Sequence, residues 1–225
     1  MNNLTIALND VRTSDSAVNS VLRNTYFLLS LCLLCCAGST YLSVAVGATS
    51  PGFLLMIAGV YGLLFLVHAT ANSATGILSC LLFSGFMGYT LSPIIGLTLK
   101  FPAGAFILFT SITTTGLVFL SLSAYVLQTR QDFSFMNGMI FAGFASTFGL
   151  MLLNILMGGI PGMFLIVSAM IALLSSASIM LHTSMIINGG ERNYILATVS
   201  LFVSLYNLFI SILHILLMFS GSNRN

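Results

Sequence analysis

The spacing of charged residues is the feature that most constrains the fold. The 225 residues include only six Lys or Arg and four Asp or Glu, and residues 24–99 contain none of them. A transmembrane helix needs about 20 apolar residues, and a charge at its centre costs roughly 2.5–3.5 kcal/mol on insertion scales. Soluble domains are about 25% charged, against 4% here, so the chain is predicted to be a membrane protein.

The lengths of the charge-free runs predict how many helices cross the membrane. Residues 24–99 fit three crossings, 101–129 fit one, 133–190 fit two and 193–223 fit one. The turn-forming segments GATSPG, HATANSATG and GGIPG divide the longer runs. The sequence therefore predicts an all-α integral membrane protein with seven transmembrane helices, over residues 26–48, 52–68, 75–99, 102–127, 133–157, 161–187 and 194–219.

Basic residues predict the orientation, because cytoplasmic loops are enriched in Lys and Arg. Alternating crossings place four of them on the side of the N-terminus and two on the other: Arg12, Arg23, Arg130 and Arg192 against Lys100 and Arg224. We expect a cytoplasmic N-terminus and a C-terminus outside. The predicted parts are a polar tail (1–25), a membrane domain (26–219) and a short C-terminal tail (220–225), with the first helix as an uncleaved anchor.

Polar side chains recur at helical spacing in the last two spans. The seventh carries Ser200, Ser204, Asn207, Ser211 and His214, and the sixth carries Ser168, Ser175, Ser178 and His182. Such spacing puts each set on one face of its helix. Two interpretations stay open, a packing seam or a polar pathway for ions between the two helices.

The depths of His182 and Asn207 depend on where the seventh span begins. If it begins at Asn193, Asn207 lies roughly 12 Å deeper than His182, at 1.5 Å per residue. If its core begins near Ser200, the mismatch vanishes and residues 193–199 form an interfacial turn.

Rows of small residues predict close helix packing in two further spans. They are Ser84, Gly88 and Ser92 in the third and Gly138, Ala142, Ser146 and Gly149 in the fifth. Pro93 is expected to kink or end the third helix. The cysteines all fall within spans and are interpreted as apolar fillers, so no metal or other cofactor is predicted. Serine-protease, aspartyl and HExxH patterns do not occur, and we expect no enzyme.

The segment GGERNY (189–194) places two of the rare charges side by side. Gly189 and Gly190 are expected to end the sixth helix. Glu191 complements the dipole of the seventh helix, and Arg192 anchors the turn on the cytoplasmic side. The alternative is that the pair also serves as a latch or as a contact for a partner.

Four segments resemble the bacterial branch of the Bax-inhibitor family, whose members have seven transmembrane helices. They are VLRNTYFLLS (21–30), GFMGYTLSPI (85–94), SAYVLQTRQDFSFMNGM (123–139) and GGERNYILATVSLFVSLYN (189–207). The likeness is strongest to the branch that modulates the FtsH protease and runs from about Val21 to Ile215, nearly the whole chain. It implies a multi-pass protein of the bacterial inner membrane.

The resemblance implies two alternative functions. The modulator branch binds the membrane-anchored, ATP-dependent protease FtsH and restrains its attack on membrane substrates, with the cytoplasmic tail as the segment that the protease seizes. The polar composition of residues 1–25 is typical of disorder, which suits that role. The alternative is the pH-sensitive leak for calcium or protons that other members form.

The chain departs from the family where the ion function resides. The leak is gated by two acidic residues in the last two helices, and the resemblance maps these positions onto His182 and Asn207. A neutral imidazole and an amide offer no fixed negative charge for a divalent cation. The resemblance therefore favours protease modulation over calcium leakage for this chain.

Overall fold

A computed structural model describes the backbone of residues 2–49, 51–160 and 162–222, and the side chains of 18–49, 51–52, 54–160 and 162–220. Every regular element in these ranges is a helix. The seven helices are α1 (Asn2–Ala45), α2 (Phe53–Thr70), α3 (Thr75–Leu99), α4 (Gly104–Thr129), α5 (Met136–Leu156), α6 (Met163–Ile187) and α7 (Tyr194–Ser222). The prediction of an all-α fold is confirmed, and the predicted spans match these helices within a few residues at most ends.

Six of the helices are long and apolar enough to cross a membrane, counting α1 from Val18. The exception is α2, whose described apolar stretch of Leu54–Thr70 is shorter. Large apolar side chains cover the outside of the bundle, for example Leu54 at 82% and Phe141 at 76% exposure. Such a surface suits lipid and not water, as the composition predicts.

The N-terminal segment differs from its prediction. Residues 2–25 are helical and continuous with the first span, so α1 has 44 residues, where a disordered tail was expected. A helix of that length extends about 66 Å, roughly twice the thickness of a hydrocarbon core. The composition was a poor guide because a helix already nucleated by an adjacent span extends at little further cost.

Connections at one end of the bundle meet one another, and we call this the arginine end. It is formed by residues 71–74, 130–135 and 188–193, and it carries Arg130 and Arg192. Hydrogen bonds join the last of these connections to the first, and α6 to the second. The other end, the lysine end, contains the α1–α2, α3–α4 and α5–α6 connections and Lys100.

Helix α7 lies at the centre of the bundle. It packs against α1, α2, α3, α4 and α6. Its side chains Leu201, Phe202 and Leu208 are among the most buried of the protein, and Phe202 packs edge-on against Phe83 of α3 at 6.0 Å between ring centroids. The helix that carries one of the predicted polar stripes is thus surrounded by protein on most sides.

The predicted small-residue row of α3 makes a close backbone contact with α1 at Gly88. A Cβ on Gly88 would lie 2.2 Å from the carbonyl oxygen of Cys36 on α1. Thr40 Oγ1 donates a 2.9 Å hydrogen bond to the Gly88 carbonyl, and Ser39 Oγ donates one of 2.7 Å to Gly85. The absence of a side chain at Gly88 therefore lets the two backbones meet, as the pattern predicts.

Pro93 does not end α3, which continues to Leu99. Proline has no N–H for the carbonyl four residues earlier, which here belongs to Tyr89. Ser92 Oγ donates a 2.8 Å hydrogen bond to that carbonyl. The Ser92 hydroxyl therefore supplies the hydrogen bond that the Tyr89 carbonyl loses to Pro93. Proline is tolerated inside membrane helices when such a neighbouring group bonds the freed carbonyl.

The small-residue row of α5 does not pack as predicted. Among the described parts of the helices, α5 contacts only α6. The close approach lies on another face, where Gly143 faces Leu174 of α6 and Thr147 is buried. Ala142 and Ser146 are exposed, and a Cβ on Gly138 would have open space. The spacing was right for a helix face, but it could not tell which face meets the neighbouring helix.

The cysteines lie within helices α1 and α3, where the sequence placed them. Cys32, Cys36 and Cys80 are buried, and the Sγ atoms of Cys32 and Cys80 are 3.4 Å apart as free thiols. Among the described residues, no three His, Cys, Asp or Glu side chains converge as metal ligands.

Candidate functional site

The turn between α6 and α7 is built by a left-handed glycine. Gly189 has φ +74°, which places it just beyond the last helical residues of α6. Gly190 N–H donates to Met185 O at 2.8 Å, and Gly189 N–H donates to Ile186 O at 3.3 Å. This pair of hydrogen bonds is the Schellman arrangement that closes a helix end. The predicted helix stop is confirmed at Gly189, whereas Gly190 has no positive φ.

Asn193 caps the N-terminus of α7, a role that the sequence interpretation missed. Its Oδ1 accepts hydrogen bonds from the N–H groups of Ile195 (2.9 Å) and Leu196 (3.4 Å). Glu191 does not cap the helix itself. Its carboxylate accepts a 2.8 Å hydrogen bond from the N–H of Asn193, the capping residue. An Asn directly before an apolar helix is a usual capping signal, so the pattern was present in the sequence.

The same asparagine joins two connections of the arginine end. Asn193 Nδ2 donates to the carbonyl of Ala71 and to Oδ1 of Asn72, both at 3.0 Å. The α6–α7 turn is thus held against the α2–α3 loop. The predicted latch at Glu191 and Arg192 has a counterpart here, but the side chain that makes the connection is Asn193.

Arg192 lies beside this junction and lines a pocket. The pocket has a volume of about 430 Å³ and is lined by residues 71–74 and 192–195. The Arg192 side chain is exposed, and it pairs with no carboxylate among the described residues. A cation and several amide and hydroxyl groups therefore lie together on the surface of this end. The suggestion that Glu191 and Arg192 contact a partner stays a prediction.

The third connection of this end is also fixed to α6. Ser184 Oγ donates to the carbonyl of Gln131 and accepts the N–H of Phe133, each at 3.0 Å. Within this loop, Asp132 accepts hydrogen bonds from the hydroxyl and from the N–H of Ser134, which lower the pKa of its carboxyl. At the arginine end, residues 130–135 are therefore held to α6, and the α6–α7 turn is held to the α2–α3 loop.

The predicted polar stripes of α6 and α7 point into the protein. Ser168, Ser175, Ser178, Ser204 and Ser211 are buried, and the remaining members, Ser200, His182, Asn207 and His214, are partly buried. The two helices pack closely together. The prediction that these faces avoid lipid is therefore consistent with the structure.

Two hydroxyl groups of the stripes, one on each helix, bond within their own helices. Ser178 Oγ donates to Leu174 O and Ser204 Oγ donates to Ser200 O, both at 2.8 Å. Among the described residues, no side-chain hydrogen bond connects the α6 stripe with the α7 stripe. Local bonds of this kind suit a closed packing seam, because the helices can approach without a bond between them. Ser175 Oγ is the exception on α6, being buried with no partner among the described residues.

His182 and Asn207 lie at different depths. His182 is five residues before the end of α6, and Asn207 is thirteen residues after the start of α7. The register of the two antiparallel helices is fixed by Phe164 and His214, whose rings meet edge-on at 4.8 Å near the lysine end. The offset between His182 and Asn207 along the helices is therefore about 12 Å or more. Of the two alternatives from the sequence, the structure has the one in which the side chains are apart.

The fold and the buried seam define a class: a polytopic α-helical membrane protein built around its last helix. The chain belongs to the Bax-inhibitor family, since the family model described as "Inhibitor of apoptosis-promoting Bax1" matches residues 18–221. The resemblance drawn from the four sequence segments is thereby confirmed.

Bacterial relatives are similar over nearly the whole chain. The "Modulator of FtsH protease YccA" of Escherichia coli K12 is 48% identical over 205 residues, covering 91% of this chain and 93% of the relative. An uncharacterized protein of Pseudomonas aeruginosa is 46% identical over 208 residues, covering 92% and 93%. The YccA of a second Escherichia coli strain, with the same identity and coverage as the first, is named an inner membrane protein. Together with the six long apolar helices, this confirms the predicted multi-pass protein of the bacterial inner membrane.

Proposed function

We propose that this protein modulates membrane-protein proteolysis by binding a membrane-anchored FtsH-type protease and restraining its attack on membrane substrates. The observation that carries the proposal is the 48% identity, over 91% of the chain, to a protein named as a modulator of FtsH protease. Within this proposal the protein acts through binding and is not an enzyme.

The proposed topology has seven crossings, with the arginine end and the N-terminus in the cytoplasm. α2 is included because its two ends lie at opposite ends of the bundle. Its following loop meets Asn193 at the arginine end, while the connection before it is joined to α3 by a 2.9 Å hydrogen bond from Tyr89 to Thr49. Tyr89 is fourteen residues along α3, or about 21 Å from its start. Orientation follows from the four arginines of one side against two basic residues on the other.

The segment proposed to meet the protease is the extension of α1 before Val18, where the apolar span begins. Sixteen helical residues, 2–17, precede that point, enough to extend about 24 Å beyond the arginine end. In this topology they project into the cytoplasm. A helix that begins outside the membrane gives an ATP-dependent protease an accessible element to engage, while α1 is held in the bundle by its packing on α3.

The experiment removes residues 2–17 and follows the half-life of an FtsH membrane substrate in cells that produce the variant. A matched control replaces the same residues with a Gly/Ser segment of equal length, which keeps the reach and removes the helix. Both variants retain the span from Val18, so we expect normal insertion. The deletion is expected to abolish the slowing of substrate turnover. Full slowing by an inserted deletion variant would contradict the role of this segment.

The alternative, a leak for calcium or protons between α6 and α7, receives less support. No carboxylate stands at His182 or Asn207, and the two positions are offset by about 12 Å along their helices. A cation would find no ligand pair there. Flux in proteoliposomes that contain the native chain or a His182→Asp, Asn207→Asp variant tests this directly, and we expect no calcium flux through the native chain.

A further inference from the structure

Most buried hydroxyl groups of this protein donate to a carbonyl one turn back in their own helix. Thr115 Oγ1 donates to Ser111 O at 2.7 Å, and Thr147 Oγ1 donates to Gly143 O at 2.8 Å. This is the usual way in which serine and threonine are satisfied inside a membrane helix.

Four hydroxyl groups near the arginine end do not follow this pattern. The oxygen atoms of Thr25, Tyr26, Ser123 and Thr183 are buried, and none has a hydrogen-bond partner among the described protein groups. Thr25 and Thr183 are 0% exposed and Ser123 is 3% exposed. An unsatisfied buried hydroxyl costs about 1–3 kcal/mol, so several at one place would be a substantial penalty.

The four groups share one level of the bundle. Thr183 is four residues before the end of α6, and Ser123 is six before the end of α4. Thr25 is level with Thr198, four residues into α7, because Thr198 Oγ1 donates to the Thr25 carbonyl at 3.3 Å. All of them therefore lie about 6–9 Å below the arginine end.

The helices that carry these groups are neighbours. α6 packs against both α1 and α4, and α7 packs against all three. The ring of Tyr26 on α1 meets Phe119 of α4 at 5.8 Å between centroids. Side chains from three different helices thus bring unpaired hydroxyls to one region between α1, α4 and α6.

A cavity lies directly outside this layer. It has a volume of about 50 Å³ and is lined by Val18, Asn19 and Leu22 of α1, Leu127 and Arg130 at the end of α4, and Ile187 of α6. A water molecule needs roughly 10–15 Å³ measured in this way, so the cavity holds a few. Its lining residues belong to the same three helices, within the last turn before the hydroxyl layer.

We propose that water enters between α1, α4 and α6 at the arginine end and is bound by the hydroxyls of Thr25, Tyr26, Ser123 and Thr183. Bound water supplies the hydrogen bonds that the protein does not, as it does for most buried polar groups without a protein partner. Ser178 and Ser204, about 7.5–9 Å deeper on α6 and α7, are satisfied by their own helices and lie outside this layer. Ser175, deeper still on α6, is a further buried hydroxyl without a partner among the described residues and is not part of the proposed site. This inference is independent of the proposed protease modulation.

Hydroxyl-radical footprinting by X-ray radiolysis tests it on the full chain in lipid nanodiscs. Radicals formed from bound water modify nearby rings, and Tyr26 is the reporter. Tyr206 is the matched control, being a partly buried tyrosine whose hydroxyl pairs with Thr90 at 3.0 Å. We expect Tyr26 to be modified several-fold faster than Tyr206. Equal or slower modification of Tyr26 would overturn the proposal.

Two variants keep the test decisive. Val18→Trp places a large side chain at the cavity that Val18 lines and is expected to slow modification of Tyr26 towards the rate of Tyr206, whereas an unchanged rate would overturn the proposed route. Thr183→Val removes one water-binding group without changing side-chain shape. It is expected to slow modification of Tyr26 and to lower the thermal midpoint more than Thr147→Val does. A raised midpoint would mean that the Thr183 hydroxyl is dry and unpaired, which contradicts the proposal.

Discussion

Asn193 offers the sharpest test of how the arginine end is assembled, because one side chain performs two separable tasks. Its Oδ1 caps α7 through the N–H groups of Ile195 and Leu196. Its Nδ2 joins the turn to Ala71 and Asn72 on the α2–α3 loop. Asn193→Ala removes both functions, whereas Asn193→Ser keeps a capping oxygen but is too short to reach the loop.

The structure sets the expected magnitudes. An N-cap contributes about 1 kcal/mol, and serine caps about as well as asparagine. Each neutral hydrogen bond contributes about 0.5–1.5 kcal/mol, with the lower part of that range suited to this site, since Asn72 is exposed. We therefore expect the free energy of unfolding to fall by about 1–2 kcal/mol in Asn193→Ser and by about 2–3 kcal/mol in Asn193→Ala.

Equilibrium unfolding in mixed micelles, followed by far-ultraviolet circular dichroism, measures both values. Arg192→Ala is a suitable control, because Arg192 is exposed in the same turn and forms no ion pair among the described residues. The reasoning would be refuted if Asn193→Ala were as stable as the native chain. Equal losses in the Ser and Ala variants would refute the capping role alone.

Three further predictions follow from single contacts. Gly88→Leu should prevent α1 and α3 from packing and lower the unfolding midpoint strongly, whereas Gly96→Leu, which meets open space, should change it little. Gly189→Ala should cost about 1–2 kcal/mol in the free energy of unfolding, because φ is +74° there, and an unchanged value would contradict the helix stop. Ser134→Ala should raise the pKa of Asp132 in an NMR titration, since both hydrogen bonds that favour the carboxylate come from Ser134 and the hydroxyl is lost. Because the folded pKa is depressed, any stabilisation by this carboxylate is present near neutral pH and is lost as pH falls through that pKa.

The helices could be predicted from the sequence because lipid imposes simple requirements on length and charge. Runs without charge had to become helices of about 20 residues or more, and glycine-rich segments such as 158–162 had to separate them. The helix stop at Gly189 was predictable for the same local reason, since few residues other than glycine adopt a left-handed conformation readily.

Features that depend on contacts between distant residues could not be predicted in the same way. The joining of Asn193 to Ala71 depends on which loops share an end and how α7 is rotated. The exposure of Ser146 depends on which face of α5 meets α6. The same holds for Thr25 and Thr183, whose missing partners become visible only when all neighbouring helices are in place.

For the polar stripes of α6 and α7, the sequence predicted one property and could not predict another. Their helical spacing put Ser178 and Ser204 on inward-facing stripes, and both side chains are buried in the structure. It could not decide whether His182 and Asn207 meet, because that required the register between α6 and α7. The contact between Phe164 and His214 supplies the register, and with it the offset that distinguishes this chain from one with a paired site.

Reconstitution with purified components is the direct test of whether the protein restrains an FtsH-type protease. Purified protease and a membrane substrate would be incorporated into proteoliposomes with increasing amounts of the full chain, and substrate degradation would be timed in the presence of ATP. Degradation of a soluble substrate serves as the control for general inhibition. We expect degradation of the membrane substrate to slow as the chain is added, and we expect deletion of residues 2–17 to remove the effect. Degradation of the membrane substrate at an unchanged rate, with the chain in molar excess and correctly inserted, would contradict the proposed restraint.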